Sequence, residues 1–114
     1  MRGTLQIEGS TSMAPVVAAL ADVYMALHGG YVAVEIYATG SGAGIEAARE
    51  GIADIGLSSR GIGPAELEGL RDSIIMAHDG IAVVVHPANS LSSITVEHLR
   101  KIYMGEVTRW EDIK

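Results

Sequence analysis

The stretch TLQIEGSTS at residues 4–12 decides the predicted fold, since apolar and polar residues alternate in it and Gly9 then leads into three hydroxyl side chains. An apolar helical pattern begins at Pro15 and runs to Leu27, and proline is favoured in the first turn of a helix. The sequence therefore predicts a strand, a polar turn and a helix in this order.

The same order returns further along the chain. Residues 32–37 alternate as a second strand, TGSGAG at residues 39–44 is typical of a turn, and residues 45–50 are predicted to form a second helix. Residues 53–57 are predicted to form a short third strand, and Pro64 then starts a third helix. The chain thus repeats a unit of strand, turn and helix.

Two apolar stretches and a final helix complete the pattern. Residues 73–77 and 81–85 are predicted to be further strands, the second of them central because it is wholly apolar. Thr95 is predicted to cap a last helix that runs through Tyr103. Alternating strands and helices predict an α/β fold, with a mostly parallel sheet flanked by helices.

The turns after the first three predicted strands all carry hydroxyl side chains. In a parallel sheet these turns emerge at one edge, where ligands bind. Hydroxyl groups and helix-start N–H groups are donors suited to an oxyanion, and glycines let the backbone approach it. The predicted oxyanion site consists of Ser10, Thr11, Ser12, Gly40, Ser41, Gly42, Ser58 and Ser59.

Each part of this site also has a simpler interpretation. A serine or threonine before a helix usually caps the orphan N–H groups of that helix. Arg60 suits an oxyanion because of its guanidinium fork, but it is equally typical of a solvated loop. Asp79 before Gly80 is most simply a turn residue. Beside an anion, its carboxylate would accept a proton from the ligand, which hydrogen phosphate carries and sulfate does not.

Composition narrows the classes of ligand. The net charge is -6 and lysines and arginines do not cluster, which argues against nucleic acid, because nucleic acid requires several cations at once. Aromatic residues make up only 4% of the chain, too few for a stacking platform. The chain has no cysteine and its four histidines show no paired metal-ligand spacing. A small polar ligand without metal or other cofactor is therefore expected.

Five segments together resemble the periplasmic phosphate-binding proteins of ABC transporters. They are GSTSMAP at 9–15, GSGAG at 40–44, residues 51–60, DGIAVVV at 79–85, and residues 99–110 with IYMGEVTRW at their end. The resemblance implies one lobe of a venus-flytrap fold, non-catalytic binding of phosphate between two lobes, a periplasmic or other extracytoplasmic location, and ABC transporter membrane subunits as partners. It assigns ligand binding to Thr11, Ser12, Ser41 and Ser59, and also to Ser10, Gly42, Arg60 and Asp79.

The sequence also departs from the family pattern. The family's second lobe supplies an arginine followed by a Ser-Gly-Thr loop, which these 114 residues do not contain. Residues 1–114 are therefore expected to form one lobe, with residues from about 90 onward resembling the start of the second lobe. The chain carries no signal-peptide pattern. Half a ligand shell predicts weak binding, and the exposed apolar surface predicts a homodimer.

Two other functions remain open from the residues themselves. One is a sensory or protein-interaction domain that keeps the lobe fold without tight ligand binding. The other is a hydrolase that uses Ser41 or Ser12 as its nucleophile, although no histidine or aspartate forms a recognisable triad signature with either serine.

Overall fold

A computed structural model describes residues 2–113 of the protein. The chain divides into two compact units, Met1–Met76 and Ala77–Lys114. Among the described residues no helix is both long and apolar enough to cross a membrane. In chain order the elements are β1 (Gly3–Gly9), α1 (Ala14–Leu27), β2 (Val32–Ala38), α2 (Ser41–Arg49), β3 (Ile55–Leu57), α3 (Pro64–Leu67), α4 (Val96–Tyr103) and a 3-10 turn (Trp110–Asp112).

The first unit contains a parallel three-stranded sheet in the order β2-β1-β3. β1 pairs with β2 over its full length, from Gly3 opposite Val32 onward. The β3 ladder is shorter and starts with Ile7 opposite Ile55. Just before it, the Asp54 carboxylate accepts a hydrogen bond of 2.8 Å from the Gln6 N–H, so a side chain extends the backbone ladder. The predicted α/β fold class is confirmed.

A small apolar core lies between α1 and the sheet. Its centre is formed by Ile7, Val17 and Leu57, all of them buried. The helix α1 is apolar around most of its circumference, yet only Val17 and Ala21 are buried on it. An open apolar groove of about 500 Å³ therefore runs along the helix beside the sheet, lined by Leu5, Ile7, Val17, Leu20, Ala21, Val23, Tyr24, Leu27, Val34 and Ile55.

The glycine-rich segment after β2 differs from its prediction. TGSGAG was predicted to be a turn that ends at residue 44, but α2 begins at Ser41, directly after Gly40. Gly40 has a φ of 97°, a left-handed value that glycine adopts without strain. The connection between β2 and α2 is therefore only Thr39 and Gly40, and the later glycines of the segment lie within the helix.

The predicted strands at residues 73–77 and 81–85 are wrong for this structure. Neither segment takes part in a sheet or in a backbone–backbone hydrogen bond with any residue of the described range 2–113. Ile74 is 87% exposed and Ile81 is 99% exposed. Apolar composition favours a strand only where a neighbouring strand supplies the ladder, and here no such neighbour pairs with either segment.

The last predicted helix is confirmed. The Thr95 hydroxyl accepts a hydrogen bond of 3.1 Å from the His98 N–H, as expected of a residue that caps a helix. Arg100 and Lys101 in the final turn of α4 complement the helix dipole. No residue between 77 and 113 is buried, so α4 is held by local contacts rather than by a core.

Candidate functional site

The parallel sheet brings the ends of three strands to one edge. The Ser10 N–H donates to the Leu57 carbonyl at 2.9 Å, which joins the turn after β1 to the end of β3. The Thr39 and Gly40 N–H groups both donate to the Gly9 carbonyl, at 3.0 and 2.9 Å, which joins the turn after β2 to the end of β1. All three hydroxyl-bearing turns are thus attached to the same backbone edge, as the sequence predicts.

Glycines let α2 lie directly on this edge of the sheet. A Cβ atom placed on Gly44 would overlap the Cα atom of Gly9 and would lie 2.5 Å from the Glu8 carbonyl oxygen. A Cβ atom on Gly56 would likewise overlap the Gly44 carbonyl. The backbones of α2, β1 and β3 therefore touch without intervening side chains. This close approach places Ser41, the first residue of α2, beside the loop that follows β3.

Ser41 and Ser59 meet across the two loops. Their hydroxyl oxygens are 3.2 Å apart, and the Ser59 N–H donates to the Ser41 Oγ at 3.1 Å. The two residues are 18 positions apart in the sequence. The sheet thus produces a pair of hydroxyl groups and an amide from separate segments, which is the kind of donor cluster that an oxyanion requires.

A second hydroxyl pair lies in the turn after β1. The Ser10 side chain is 2% exposed, and its hydroxyl oxygen is 3.1 Å from that of Ser12. Thr11 between them is exposed. The turn therefore has one serine that is buried as part of the edge, and two residues whose side chains face solvent.

The capping interpretation of these hydroxyls does not hold for α1 and α2. The residues that precede these helices are Met13 and Gly40, and within the described part of the chain neither helix receives a hydrogen bond from a side-chain cap. The Ser41 hydroxyl instead faces Ser59, and the Ser12 hydroxyl faces Ser10. At the start of α1 the Ala14 N–H donates to the Ser10 carbonyl at 3.2 Å and Pro15 has no N–H, while α2 starts at Ser41 without a side-chain cap from residues 2–113.

Arg60 contacts protein groups in this structure. Its Nη1 and Nη2 donate to the two carboxylate oxygens of Glu66 at 2.9 and 2.7 Å. Glu66 also accepts a hydrogen bond of 2.8 Å from the Gly63 N–H. Through these donors, the Arg60 guanidinium first of all, the pKa of Glu66 falls to about 2, and the Glu66 carboxylate in turn raises the pKa of Arg60.

Asp79 lies in the second unit, apart in sequence from the three turns. Its carboxylate accepts a hydrogen bond of 2.8 Å from the Gly80 N–H, which is the contact expected of a turn residue. Two further polar residues, Thr39 after β2 and Glu66 on α3, were not predicted from the sequence. Thr39 donates from its hydroxyl to the Glu8 carboxylate at 3.0 Å, and Glu66 pairs with Arg60. A glutamate at the third position of a helix, where its carboxylate can reach back to the N–H of the residue before the helix, is the signal that indicates Glu66.

The environment of the serines does not resemble that of a catalytic nucleophile. Ser41 and Ser12 each have another serine as hydroxyl partner. The ring nitrogens of His28 and His86 bond locally, to the Tyr24 carbonyl and the Ala88 N–H. Among residues 2–113, no group of three or more histidine, aspartate or glutamate side chains is arranged to hold a metal ion. Within the part of the chain that the structure describes, the hydroxyls of Ser12 and Ser41 therefore each face another hydroxyl and not a histidine or a carboxylate.

Comparison with known proteins gives consistent results over the whole chain. Residues 1–114 match the model of the PBP superfamily domain. The chain is 39% identical over 114 residues to phosphate-binding protein PstS 2 of Streptococcus pneumoniae, covering 100% of this chain and 38% of that protein.

Solved structures give the same result. A phosphate-binding protein of a phosphate ABC transporter from Streptococcus pneumoniae superposes with a TM-score of 0.85 at 38% identity, over 100% of this chain and 44% of that one. A phosphate ABC transporter substrate-binding protein from Clostridium perfringens, solved with bound phosphate, superposes with a TM-score of 0.81 at 35% identity, over 96% of this chain and 44% of that one. The chain spans less than half the length of these proteins. The family model and the identity over the full chain together show that this chain belongs to the PBP superfamily.

Proposed function

We propose that this protein binds inorganic phosphate, or a related oxyanion, as the solute-binding component of an ABC-type uptake system, without catalysing a reaction. The observation that carries the proposal is the meeting of Ser41 and Ser59 at the carboxyl edge of a parallel sheet, beside two helix starts without side-chain caps. The names of the relatives from Streptococcus pneumoniae and Clostridium perfringens support phosphate as the ligand. They favour this function over a sensory domain without tight ligand binding.

The proposed ligand shell combines neutral donors from the three turns. Serine and threonine hydroxyls and helix-start amides would donate to the phosphate oxygens, and glycine would let the backbone come close. Two charged residues would add to these donors, one as a cation and one as an acceptor for the ligand's proton. The proposed ligand-binding residues are Ser10, Thr11, Ser12, Ser41, Gly42, Ser59, Arg60 and Asp79.

The proposal extends to domain organisation, location and partners. Residues 1–114 would form one lobe, of which the part from about residue 90 onward opens a second lobe. ABC transporter membrane subunits would be the protein partners, in an extracytoplasmic compartment. A homodimer is a further proposal, supported by Leu20 and Leu27 of the apolar groove, which are 56% and 78% exposed. Light scattering coupled to size exclusion tests it, and a strict monomer at high concentration would contradict it.

Calorimetric titration with phosphate tests the site. We expect the double variant Thr11→Val with Ser41→Ala to lose about tenfold or more in phosphate affinity, since each hydroxyl removed takes away a donor worth about 1 kcal/mol. The matched control is Thr108→Val with Ser92→Ala, which removes two hydroxyls from the second unit. Equal affinity of the two double variants would place the phosphate elsewhere.

The selectivity between phosphate and sulfate tests whether Asp79 contacts the ligand. If its carboxylate accepts the ligand's proton, phosphate is preferred, and Asp79→Asn narrows the preference because an amide can also donate to sulfate. The ratio of the two affinities is the measured quantity. An unaltered ratio removes Asp79 from the ligand shell.

A further inference from the structure

The loop from Ser58 to Gly63 connects β3 to α3 and is fastened at both ends. Near its start, the Ser59 N–H donates to the Ser41 Oγ at 3.1 Å, and the Ser58 hydroxyl donates to the Arg60 carbonyl at 2.9 Å. At its end, the Gly63 N–H donates to the Glu66 carboxylate at 2.8 Å. One end of the loop therefore belongs to the proposed phosphate site and the other to α3.

Arg60 joins these two ends. Its two terminal nitrogens donate to both oxygens of Glu66, at 2.9 and 2.7 Å, and Nη1 also donates to the Gly61 carbonyl at 2.9 Å. A guanidinium fork on a carboxylate fixes orientation as well as distance. The two side chains are 49% and 29% exposed, so solvent weakens the pair's contribution to stability. The main effect of the Arg60–Glu66 pair is to fix the path of the loop.

The pair also governs what Arg60 offers to an anion. Glu66 is ionised at neutral pH, because its pKa is about 2, so its charge offsets that of Arg60. A phosphate on the side of Glu66 would have to compete with its carboxylate, so a phosphate would be met by Nε and the second N–H of Nη2, which bond to no other residue in the described range. The Ser59 N–H already donates to the Ser41 Oγ, so the donor that Ser59 itself offers to a phosphate is its hydroxyl.

From these contacts we propose that Glu66 is a positioning residue for the phosphate site, which acts through Arg60 to hold Ser59 against Ser41. The proposal rests on the function proposed above and adds a residue from outside the three turns. Glu66 touches no ligand in it. The ion pair sets the path of the loop, and the loop sets where the Ser59 donors point.

A double-mutant cycle in the full chain tests the proposal by phosphate titration. Glu66→Gln keeps an acceptor for the Gly63 N–H and removes the ion pair. We expect it to weaken phosphate binding about fivefold in the native background and by less than about twofold in a Ser59→Ala background. Arg60→Lys, which keeps the charge and loses the fork, is expected to reproduce the effect of Glu66→Gln.

The matched control is Glu97→Gln, which removes a similar two-pronged pair with Arg100 in α4, at 3.1 and 3.2 Å, and is expected to leave phosphate affinity unchanged. A second measurement needs no phosphate: the solvent exchange of the Ser59 amide, followed by NMR in ligand-free protein. We expect Glu66→Gln to accelerate it about fivefold, with the Ile7 amide in the sheet unaffected.

The outcomes separate the proposals. Equal losses of affinity in the native and Ser59→Ala backgrounds would show that Glu66 does not act through Ser59, and tighter binding by Glu66→Gln would show that Glu66 withholds Arg60 from the phosphate and does not support the site. Either result overturns the positioning role. Failure of the native chain to bind phosphate overturns the proposed function, and an unchanged exchange rate of the Ser59 amide then overturns the positioning role as well.

Discussion

The first unit of the protein has a small buried apolar core, whereas no residue of the second unit within 77–113 is buried. Ile7 on β1 is 5% exposed, whereas Ile81 in the second unit is 99% exposed, although both belong to stretches that the sequence predicts to be strands. Ile7 lies in a strand with a parallel neighbour on each side. The stretch around Ile81 pairs with no strand in the described part of the chain. Both stretches contain apolar residues, but within residues 2–113 only the stretch around Ile7 has neighbouring strands to pair with, and only there is the isoleucine buried.

The hydroxyl groups of the proposed phosphate site all belong to the first unit, which has the buried core. Ser10 is held by a backbone hydrogen bond to Leu57, a core residue, and Ser41 is held by the contact of α2 with the sheet. Donors fixed in this way are oriented before a ligand arrives, which lowers the entropy cost of binding. Asp79 lies in the second unit, where no residue within 77–113 is buried, and its carboxylate contacts its own neighbour Gly80.

Hydrogen exchange is expected to show the largest difference between the units. Amides of β1 open only with the sheet, so their protection should approach the global free energy of unfolding, about 5 kcal/mol or more. Amides of residues 81–85 have no backbone acceptor within residues 2–113 and are expected to exchange at least about a thousandfold faster. Mass spectrometry of peptic fragments measures both. Similar protection of the two segments would contradict the comparison.

The next largest effect is expected on the free energy of unfolding, when one methyl group is added where α2 touches the sheet. We expect Gly44→Ala to lower the free energy of unfolding of the first unit by about 3 kcal/mol, because the new Cβ meets backbone atoms of β1 that cannot move aside. Gly42→Ala, two residues earlier in α2, is the control, since a Cβ there has nothing within 4 Å. Urea denaturation followed by circular dichroism measures both. If Gly44→Ala proved as stable as the control, the close approach of α2 would be wrong.

Those two glycines also show how far the sequence alone predicts the site. The order of the first three strands and helices and the meeting of the three hydroxyl turns follow from alternation and from the rule that parallel strands end at one edge. The role of Gly44 does not follow, because a glycine that spaces a turn and a glycine that lets two backbones touch look alike in a sequence. The pairing of Arg60 with Glu66 depends on the path of a loop, which periodicity does not determine.

A smaller effect is expected from the cap of α4. Thr95→Ala removes the hydroxyl that accepts from the His98 N–H and should destabilise α4 by about 1 kcal/mol. Because α4 lies in the unit without a core, we expect the loss to appear as faster amide exchange in α4 and to leave the unfolding of the first unit unchanged. Ser93→Ala, which removes an exposed hydroxyl ahead of the helix, is the control. A shift in the unfolding of the first unit would show that the two units unfold together.

The smallest effect is expected on the stability of the first unit in acid. It depends on Glu66, a carboxyl group of the first unit, and not on Glu97 of the second. Glu66 has a pKa of about 2 in the folded protein against an ordinary value of 4.5, chiefly because of Arg60, with the Gly63 N–H and the charge of Arg49 adding to it. A depressed pKa stabilises the folded state fully above the ordinary value, and this contribution is lost as pH falls from 4.5 toward 2. Glu66→Gln should therefore flatten the decline in stability of the first unit across that range.

The control is Glu97→Gln. Arg100 also lowers the pKa of Glu97, but Glu97 lies in the second unit, so this variant should leave the decline in stability of the first unit unchanged. Denaturation of both variants at a series of acid pH values is the measurement, and equal slopes for the two would mean that the Arg60 pair does not couple to the folding of the sheet.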